Sequence, residues 1–287
     1  MGADKADMGW STRPIVGFDT ETTGIHPLND RLVTASVIVV PSISAMPIGS
    51  AAPEPSSPDP SNTGSAALEP SSIRGSSGSE RPENTRTAKN SLIETFYWLA
   101  DPGVEIPEQS QAVHGISTQQ AQREGEPIKK VLNEIAQLLH THMEQEHPIV
   151  AFNASFDLTL LESELARHGL PTLAQRLGRP IGPIIDPYML DKAVDKYRRG
   201  KRNLENMAKF YGVCNNDHFH NAQADVLATL HVLQAIIRTY PALTQESLSA
   251  LMHKQRTAYD EQAAYFARRA IQRGQEPAEH TGWPVAK

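Results

Sequence analysis

Two acidic residues, one position apart, follow a short apolar run near the start of the chain. Asp19 and Glu21 come after residues 15–18, which have the composition of a buried strand. Because side chains alternate faces along a strand, both carboxylates are expected on one face. At about 4 Å, and at the dielectric of a protein surface, their repulsion is on the order of 4 kcal/mol. A divalent metal would relieve this repulsion, but two solvated acids at a strand end explain the pair alone, so a metal site requires further carboxylates from the rest of the chain.

Two further acids adjoin buried apolar elements later in the chain. Asp157 begins a helical pattern after a short strand at 148–152, and Asp225 lies early in another helical pattern. If all four acids converge, they form a site for two Mg²⁺ or Mn²⁺ ions, because these cations prefer carboxylates, waters and phosphate oxygens. Two ions about 3.5–4 Å apart stabilise the attacking and leaving oxygens of a phosphoryl displacement. The predicted chemistry is therefore phosphodiester hydrolysis.

The composition is that of a globular protein with room for one large domain or two small ones. The 287 residues are 39% hydrophobic and 21% charged. The single cysteine, Cys214, excludes an internal disulfide and a Cys-based zinc cluster. No segment approaches the roughly 20 apolar residues of a membrane span, so we expect a cytoplasmic protein without membrane association. The net charge of −6 is not that of a protein that binds nucleic acid through overall charge alone. It is compatible with an enzyme whose own site is acidic.

Hydrophobic periodicity predicts an α/β domain with a mixed five-stranded sheet flanked by helices. Strands are expected at 15–18, 31–40, 92–100, 148–152 and 184–185. Helices are expected at about 118–122, 127–147, 153–169, 203–211, 222–240 and 247–273. The last helix carries an apolar stripe that is expected to pack on the domain or on a partner.

A segment at about 41–90 interrupts this pattern. It contains eight of the chain's 21 prolines, many serines and no aromatic residue. Such a composition buries too little apolar surface to offset its ordering entropy, so we expect a disordered insertion. The sequence therefore divides into an N-terminal tail at 1–13, a main domain at 14–240 around this insertion, and a C-terminal helical extension and tail at 241–287.

Three motifs resemble the signature of the DEDDh exonucleases, the DnaQ-like group that includes the proofreading epsilon subunit of bacterial DNA polymerase III. They occur in the family order as Phe18-Asp19-Thr20-Glu21-Thr22-Thr23-Gly24, Ala151-Phe152-Asn153-Ala154-Ser155-Phe156-Asp157 and His220-Asn221-Ala222-Gln223-Ala224-Asp225. The resemblance extends from about residue 14 to 240, which marks this range as the expected exonuclease domain. It implies an RNase H-like fold and removal of nucleoside 5′-monophosphates from the 3′ end of DNA or RNA.

The resemblance also implies roles for individual residues. Metal-binding and catalytic roles fall on Asp19, Glu21, Asp157 and Asp225, with water as a possible intermediary for Asp157. The general base that takes a proton from the attacking water is His220. Residues implied to border the terminal nucleotide are Thr22, Gly24, His114, Asn153 and Phe156. The chain departs from the family pattern at Phe152, where many members have histidine.

Three functions are compatible with these motifs. The leading hypothesis is a metal-dependent 3′-5′ exonuclease acting on DNA in replication proofreading or repair, with a DNA polymerase subunit as a candidate partner. A second is an RNA-trimming enzyme, since the motifs do not fix the sugar. A third is a non-catalytic scaffold bound to a polymerase, but a scaffold has no reason to retain mutually repelling carboxylates. A basic cluster at 196–202 is either a solvated loop or a contact to phosphates.

Overall fold

A mixed sheet forms the centre of the structure, a computed structural model that describes residues 9–46, 93–213, 222–278 and 281–286. Its strands are β1 (Ile15–Thr22), β2 (Leu32–Val40), β3 (Glu94–Asp101), β4 (Glu126–Pro127), β5 (Ile149–Val150) and β6 (Ile184–Ile185). Their order across the sheet is β4-β3-β2-β1-β5-β6.

The strand directions decide where the functional residues meet. β1 pairs antiparallel with β2, and β2 pairs antiparallel with β3. β5 is parallel to both β1 and β6. The carboxyl ends of β1, β5 and β6 therefore lie at the same edge of the sheet, which is where open α/β sheets place their ligands.

Helices cover both faces of the sheet. They are α1 (Glu108–His114), α2 (Thr118–Glu124), α3 (Ile128–Glu144), α4 (Ala154–Arg167), α5 (Leu173–Leu177), α6 (Pro187–Val194), α7 (Leu204–Phe210), α8 (Ala222–Thr239) and α9 (Leu248–Gln272). The described residues also form short 3₁₀ turns at Trp10–Thr12 and Pro241–Gln245. Among the helices that the structure describes, none is both long enough and apolar enough to cross a membrane.

The two faces of β1 belong to two different hydrophobic cores. Val16 and Phe18 are buried in the core that contains the inner faces of α3 and α4. On the other face, Ile15 is buried in the core that α8 completes with Val226 and Leu230. This alternation follows from the period of two along a strand. Beyond Phe18, the side chains of β1 therefore continue to point alternately toward α8 and toward the layer of α3 and α4.

The predicted mixed sheet flanked by helices is confirmed, but in the described part of the chain it has six strands rather than five. The additional strand is the two-residue β4, which pairs with the end of β3 just before α3 begins. A strand of two residues has no period for a sequence to show. The helices α1, α5 and α6, which have five to eight residues, were not predicted either. Conversely, β1 continues to Thr22 and includes the acids that were expected to follow it.

Parts of the predicted tail and insertion are packed into the core. Trp10 is 4% exposed, and its indole N–H donates to the carbonyl of Leu243 at 3.0 Å. Ile43 and Met46 are buried, and their carbonyls accept hydrogen bonds from the Gln234 side chain at 3.1 and 2.9 Å. Residues 9–13 and 41–46 thus differ from the prediction, since these apolar side chains find burial against distant elements. Residues 1–8 and 47–92 lie outside the described part of the chain.

The segment at 281–286 lies along α4. Trp283 is 1% exposed within the core shared by α3 and α4. Ser155 donates to the carbonyl of Gly282 at 2.7 Å, and the backbone N–H of Ala286 donates to Thr159 at 2.8 Å. The predicted C-terminal extension therefore packs closely on the domain in front of it.

Candidate active site

Three carboxylates meet at the carboxyl end of β1. Oxygens of Asp19, Glu21 and Asp225 all lie within 4.8 Å of one another, and each side chain is partly exposed. Carboxylate oxygens at this spacing suit hard divalent cations such as Mg²⁺ and Mn²⁺, which complete their coordination with water and phosphate. The described residues therefore include a group that could hold a metal ion.

The packing of α8 on β1 brings Asp225 to the two strand acids. Asp19 and Glu21 lie on the same face of β1 as Gly17, and this face is covered by α8. A Cβ atom on Gly17 would lie only 2.4 Å from a methyl carbon of Val226. Because the glycine has no side chain, the first turn of α8 can approach the strand backbone closely. Asp225, next to Val226, is thereby brought within reach of the strand acids.

Asp157 approaches the same region from the opposite layer. It lies in the first turn of α4, is 3% exposed, and is outside the group of three oxygens. Its Oδ1 accepts hydrogen bonds from the backbone N–H of Thr20 at 3.0 Å and from the Thr20 hydroxyl at 2.6 Å. Sequence reasoning missed this role of Thr20, because a threonine on a strand carries no signal for a contact 137 positions away.

The four acids repel one another strongly when no cation is bound. Burial first, and then the charges of the three other acids, raise the pKa of Asp19 well above its ordinary value. Burial and the nearby Asp225 and Asp157 raise the pKa of Glu21 to about 7. Burial also raises the pKa of Asp157 to about 7, and the hydrogen bonds from Thr20 oppose this shift. A bound cation would relieve the repulsion and favour the ionised forms.

The loop after β1 is held in a fixed shape beside these acids. The hydroxyl of Thr22 donates to the carbonyl of Gly24 at 2.5 Å, and Ser110 of α1 donates to the carbonyl of Thr23 at 2.8 Å. A Cβ atom on Gly24 would lie 2.6 Å from a carboxylate oxygen of Asp30. The loop therefore requires glycine at this position, and α1 is attached to it.

His114, at the end of α1, lies next to this loop. Its Nδ1 accepts a hydrogen bond from the backbone N–H of Ile116 at 3.1 Å. Burial lowers the pKa of His114, and the backbone of Thr22 opposes this shift. The imidazole is therefore neutral at pH 7 and carries its proton on Nε2, which makes that nitrogen a hydrogen-bond donor.

A buried carboxylate organises the ends of β5 and β6. Asp186 accepts hydrogen bonds from the backbone N–H groups of Asn153 and Ala154, each at 3.0 Å, and caps α6 through the N–H of Tyr188 at 3.0 Å. Asn153 has a left-handed backbone with φ of 61°, and its carbonyl accepts from the N–H of Phe156 at 2.9 Å. The predicted strand at 184–185 ends just before Asp186, but the role of this acid was not predicted, although an acid before Pro at a helix start is typical of a cap.

An open groove of about 650 Å³ begins at Asp225, and we call it the site groove. Its lining includes Phe152, Asn153, Tyr188, Arg202 and Gln262. The rings of Phe152 and Tyr188 lie 5.7 Å apart and are tilted by 37°. Phe152, the departure from the family motif, thus contributes an aromatic surface close to the acids.

The basic cluster at 196–202 is largely engaged in ion pairs. The guanidinium groups of Arg198 and Arg202 contact the buried carboxylate of Asp191 at 3.0 and 2.6 Å. Lys196 pairs with Glu261 of α9 at 2.6 Å. Arg198 therefore has a structural role, while Arg202 also lines the site groove. The predicted general base, His220, lies outside the described residues, as does all of 214–221.

PolC-type DNA polymerases III match about half of this chain. The DNA polymerase III PolC-type of Streptococcus thermophilus is 30% identical over 151 residues, which is 52% of this chain and 9% of that protein. The corresponding protein of Streptococcus suis is 29% identical over 164 residues, which is 57% of this chain and 10% of that protein. The chain thus spans about a tenth of the length of these relatives.

Solved structures of exonuclease I share the fold. E. coli exonuclease I in complex with a dT13 oligonucleotide has a TM-score of 0.52 at 17% identity, covering 81% of this chain and 43% of that one. The zinc-bound form of the E. coli exonuclease I–ssDNA complex has a TM-score of 0.54 at 16% identity, covering 81% and 42%. The predicted RNase H-like fold is confirmed by this likeness.

A family model described as RNase_T, Exonuclease, matches residues 84–233, just over half of the chain. This range includes Asp157 and Asp225, while Asp19 and Glu21 precede it on β1. The second and third motifs are therefore within the matched range, and the structure brings the first motif to them. The chain belongs to the RNase_T exonuclease family, as its resemblance to the DEDDh exonucleases predicted.

Proposed function

We propose that the protein is a metal-dependent 3′-5′ exonuclease that releases nucleoside 5′-monophosphates from the 3′ end of DNA. The observation that carries this proposal is the group of oxygens from Asp19, Glu21 and Asp225 within 4.8 Å, in a chain of an exonuclease family. Holding like charges this close is unfavourable unless a cation is bound. A scaffold without catalytic function would gain nothing from it.

The four acids are proposed to hold two Mg²⁺ or Mn²⁺ ions. Asp19, Glu21 and Asp225 are positioned to provide direct ligands. Asp157 already accepts two hydrogen bonds on Oδ1, which favours a contribution from its other oxygen or through a bound water. When bound, such a pair of ions stabilises both the attacking and the leaving oxygen of an in-line phosphoryl displacement.

The terminal nucleotide is proposed to lie between the loop after β1 and the start of α4. Thr22 and Gly24 border it on one side, with His114 as a neutral donor beside them. Asn153 and Phe156 border it on the other, in the turn that Asp186 holds. These contacts would orient the strand so that the last phosphodiester bond faces the acids.

The hydrolysis requires a base for the attacking water. We assign this role to His220, whose unperturbed pKa of about 6.5 suits proton transfer near neutral pH. The oxygen of water forms a bond to phosphorus, and the bond from phosphorus to the 3′ oxygen breaks. His220 takes a proton of the attacking water, and the leaving 3′ oxygen takes up a proton from solvent water. The products are a nucleoside 5′-monophosphate and a strand one nucleotide shorter with a 3′ hydroxyl.

We assign this activity to residues 14–240, with 241–287 as an extension, and its biological role to proofreading or repair of DNA. The similarity to PolC-type polymerases supports a replication role and makes a DNA polymerase subunit the candidate partner. A cytoplasmic location belongs to the same proposal, and it rests on the composition of the chain.

The decisive experiment compares single strands of DNA and RNA with the same sequence and a labelled 5′ end, in the presence of Mg²⁺. We expect stepwise shortening of the DNA strand, and loss of this activity in Asp225→Asn. Asp260→Asn, which changes an exposed acid on α9, is the matched control and should retain full activity. Shortening of RNA alone would support the trimming function instead. No hydrolysis of either strand would contradict the proposal and favour the scaffold.

A further inference from the structure

A second groove continues the site groove along α9, and we call it the α9 groove. Its volume is about 570 Å³, and its lining includes Lys192, Lys196, Arg202, Tyr265, Phe266 and Arg268. Arg202 and Gln262 line both grooves, so the two are continuous. α9 follows residue 233, so it lies beyond the range that the family model matches.

The charge changes sign from one groove to the other. The site groove contains Asp225 and Glu205 beside a single cationic residue, Arg202. The α9 groove is lined by four cationic residues and one acid, Glu261. Within the part of the chain that the structure describes, Lys192 and Arg268 form no ion pair, so their charges remain available for a polyanion.

Aromatic rings are exposed along the same path. Tyr265 is 48% exposed and Phe266 is 56% exposed, and their ring centroids lie 5.6 Å apart. Nearer the acids, Lys192 lies over the ring of Tyr188 at 5.0 Å, and Tyr188 in turn contacts Phe152. Alternating cations and aromatic faces are the features that bind single-stranded nucleic acid without sequence preference.

We propose that the α9 groove binds the part of a single strand that lies upstream of its 3′ end. The inference rests on the proposed function, since it places that end at the acids and directs the strand over Tyr188 toward α9. The phosphates contact Lys192 and Arg268, and bases stack on Tyr265 and Phe266. α9 thereby makes the enzyme prefer long single strands to very short ones.

The test of the charges measures binding of a fluorescent homopolymer by anisotropy, in chelator to prevent hydrolysis, at several salt concentrations. The variant is Lys192→Gln with Arg268→Gln. Each lost phosphate contact should reduce the magnitude of the slope of log K against log salt by about 0.7. The slope of the double variant should therefore be smaller in magnitude than the wild-type slope by about 1.4. Arg256→Gln with Arg273→Gln removes two exposed cations of the α9 region that do not line the groove, and should keep the wild-type slope.

The test of the rings uses Phe266→Ala, with Ile271→Ala as its control. Both side chains are exposed and large on the same helix, but Ile271 does not line the groove. We expect Phe266→Ala to weaken binding of the homopolymer by about five- to a hundredfold, and Ile271→Ala to leave it unchanged. The ratio of kcat/KM for the homopolymer to that for a dinucleotide should fall in Phe266→Ala.

Equal homopolymer binding by the groove variants and their controls would overturn the proposal. If Phe266→Ala hydrolyses both substrates with the wild-type ratio of kcat/KM for the homopolymer to kcat/KM for the dinucleotide, the groove proposal is overturned as well. The exonuclease function would remain supported. If the wild type hydrolysed neither substrate, the exonuclease function would be wrong. The anisotropy measurements in chelator would still show whether the α9 groove binds a single strand.

Discussion

Thr20 donates both its backbone N–H and its hydroxyl to one oxygen of Asp157, at 3.0 and 2.6 Å. The contact joins β1 to the first turn of α4 and fixes the orientation of a nearly fully buried carboxylate. It also opposes the rise in the pKa of Asp157 that burial causes. A residue without acid–base chemistry of its own thus orients one that has it and favours its ionised form.

We expect Thr20→Val to lower turnover and to move the acid limb of the rate profile to higher pH. The valine keeps the shape of the side chain but removes a hydrogen bond to a carboxylate, which typically contributes about 1.5–3 kcal/mol. The pKa of Asp157 should rise further as a result. Thr20→Ser retains the hydroxyl and should restore both properties. Rate profiles that coincide for the valine variant and wild type would contradict this role.

Asp19→Asn should abolish exonuclease activity without unfolding the protein. The substitution removes a metal ligand and at the same time relieves repulsion among the acids, which already raises the pKa of Asp19. The metal-free variant should therefore unfold at the same temperature as the metal-free wild type, or at a higher one. Thermal unfolding in chelator and turnover in Mg²⁺ measure the two effects. Turnover near the wild-type value would exclude the proposed metal site.

The stability of the metal-free protein should depend on pH through Glu21. Its pKa is about 7 in the folded chain and 4.5 in the reference state, so the folded state binds more protons between these values. The stability associated with this group is therefore fully present below about pH 4.5 and is lost as pH rises through about 7. Glu21→Gln should remove that loss, and so should Mg²⁺. A difference between variant and wild type that stays constant over this range would contradict the assignment.

Gly17→Ala should lower both stability and activity by displacing α8. The new methyl group would meet Val226, which lies 2.4 Å from the position of its carbon. Overpacking of this kind typically costs about 1–3 kcal/mol, and here it also moves Asp225 away from Asp19. The double variant Gly17→Ala with Val226→Ala creates room and should recover part of both losses. Denaturant unfolding and turnover report the recovery, and its absence would show that α8 is not positioned by this contact.

His220→Ala should lose about 10²–10⁴ in turnover while retaining Mn²⁺ binding, because a general base contributes to the rate and not to the metal site. His218→Ala is the matched control, two positions earlier in the same segment, and should lose neither. In rate profiles across pH, the acid limb should change in His220→Ala and stay as in the wild type in His218→Ala. A large loss of turnover in His218→Ala instead would assign the role of general base to His218.

The sequence indicates the acids well because their spacing is local. Alternation along a strand places Asp19 and Glu21 on one face. The helical pattern of α8 places Asp225 in the first turn of that helix. The roles of Thr20 and Asp186 were missed because they depend on partners 137 and 33 positions away. Local periodicity contains no information about such contacts.

The same reason explains the segments whose packing was not predicted. Trp10 and Met46 look unremarkable in sequence, since neither belongs to a periodic stretch, yet both are buried against elements more than 180 positions away. Composition alone assigned 41–46 to the insertion, and isolated apolar residues such as Ile43 and Met46 are too weak a signal to place its boundary.

The segment at 281–286 joins α4 to the late part of the chain. Trp283 is buried against α4, and its indole N–H lies 3.4 Å from Asp186, the carboxylate that holds Asn153. Opening of this short segment would expose the core beside Asp157 and loosen the turn next to the acids. Detachment of this segment should therefore lower the free energy needed to open α4, and with it the protection of the α4 amide hydrogens against exchange. We therefore expect the stability of this edge of the sheet to depend on six residues that include none of the four acids.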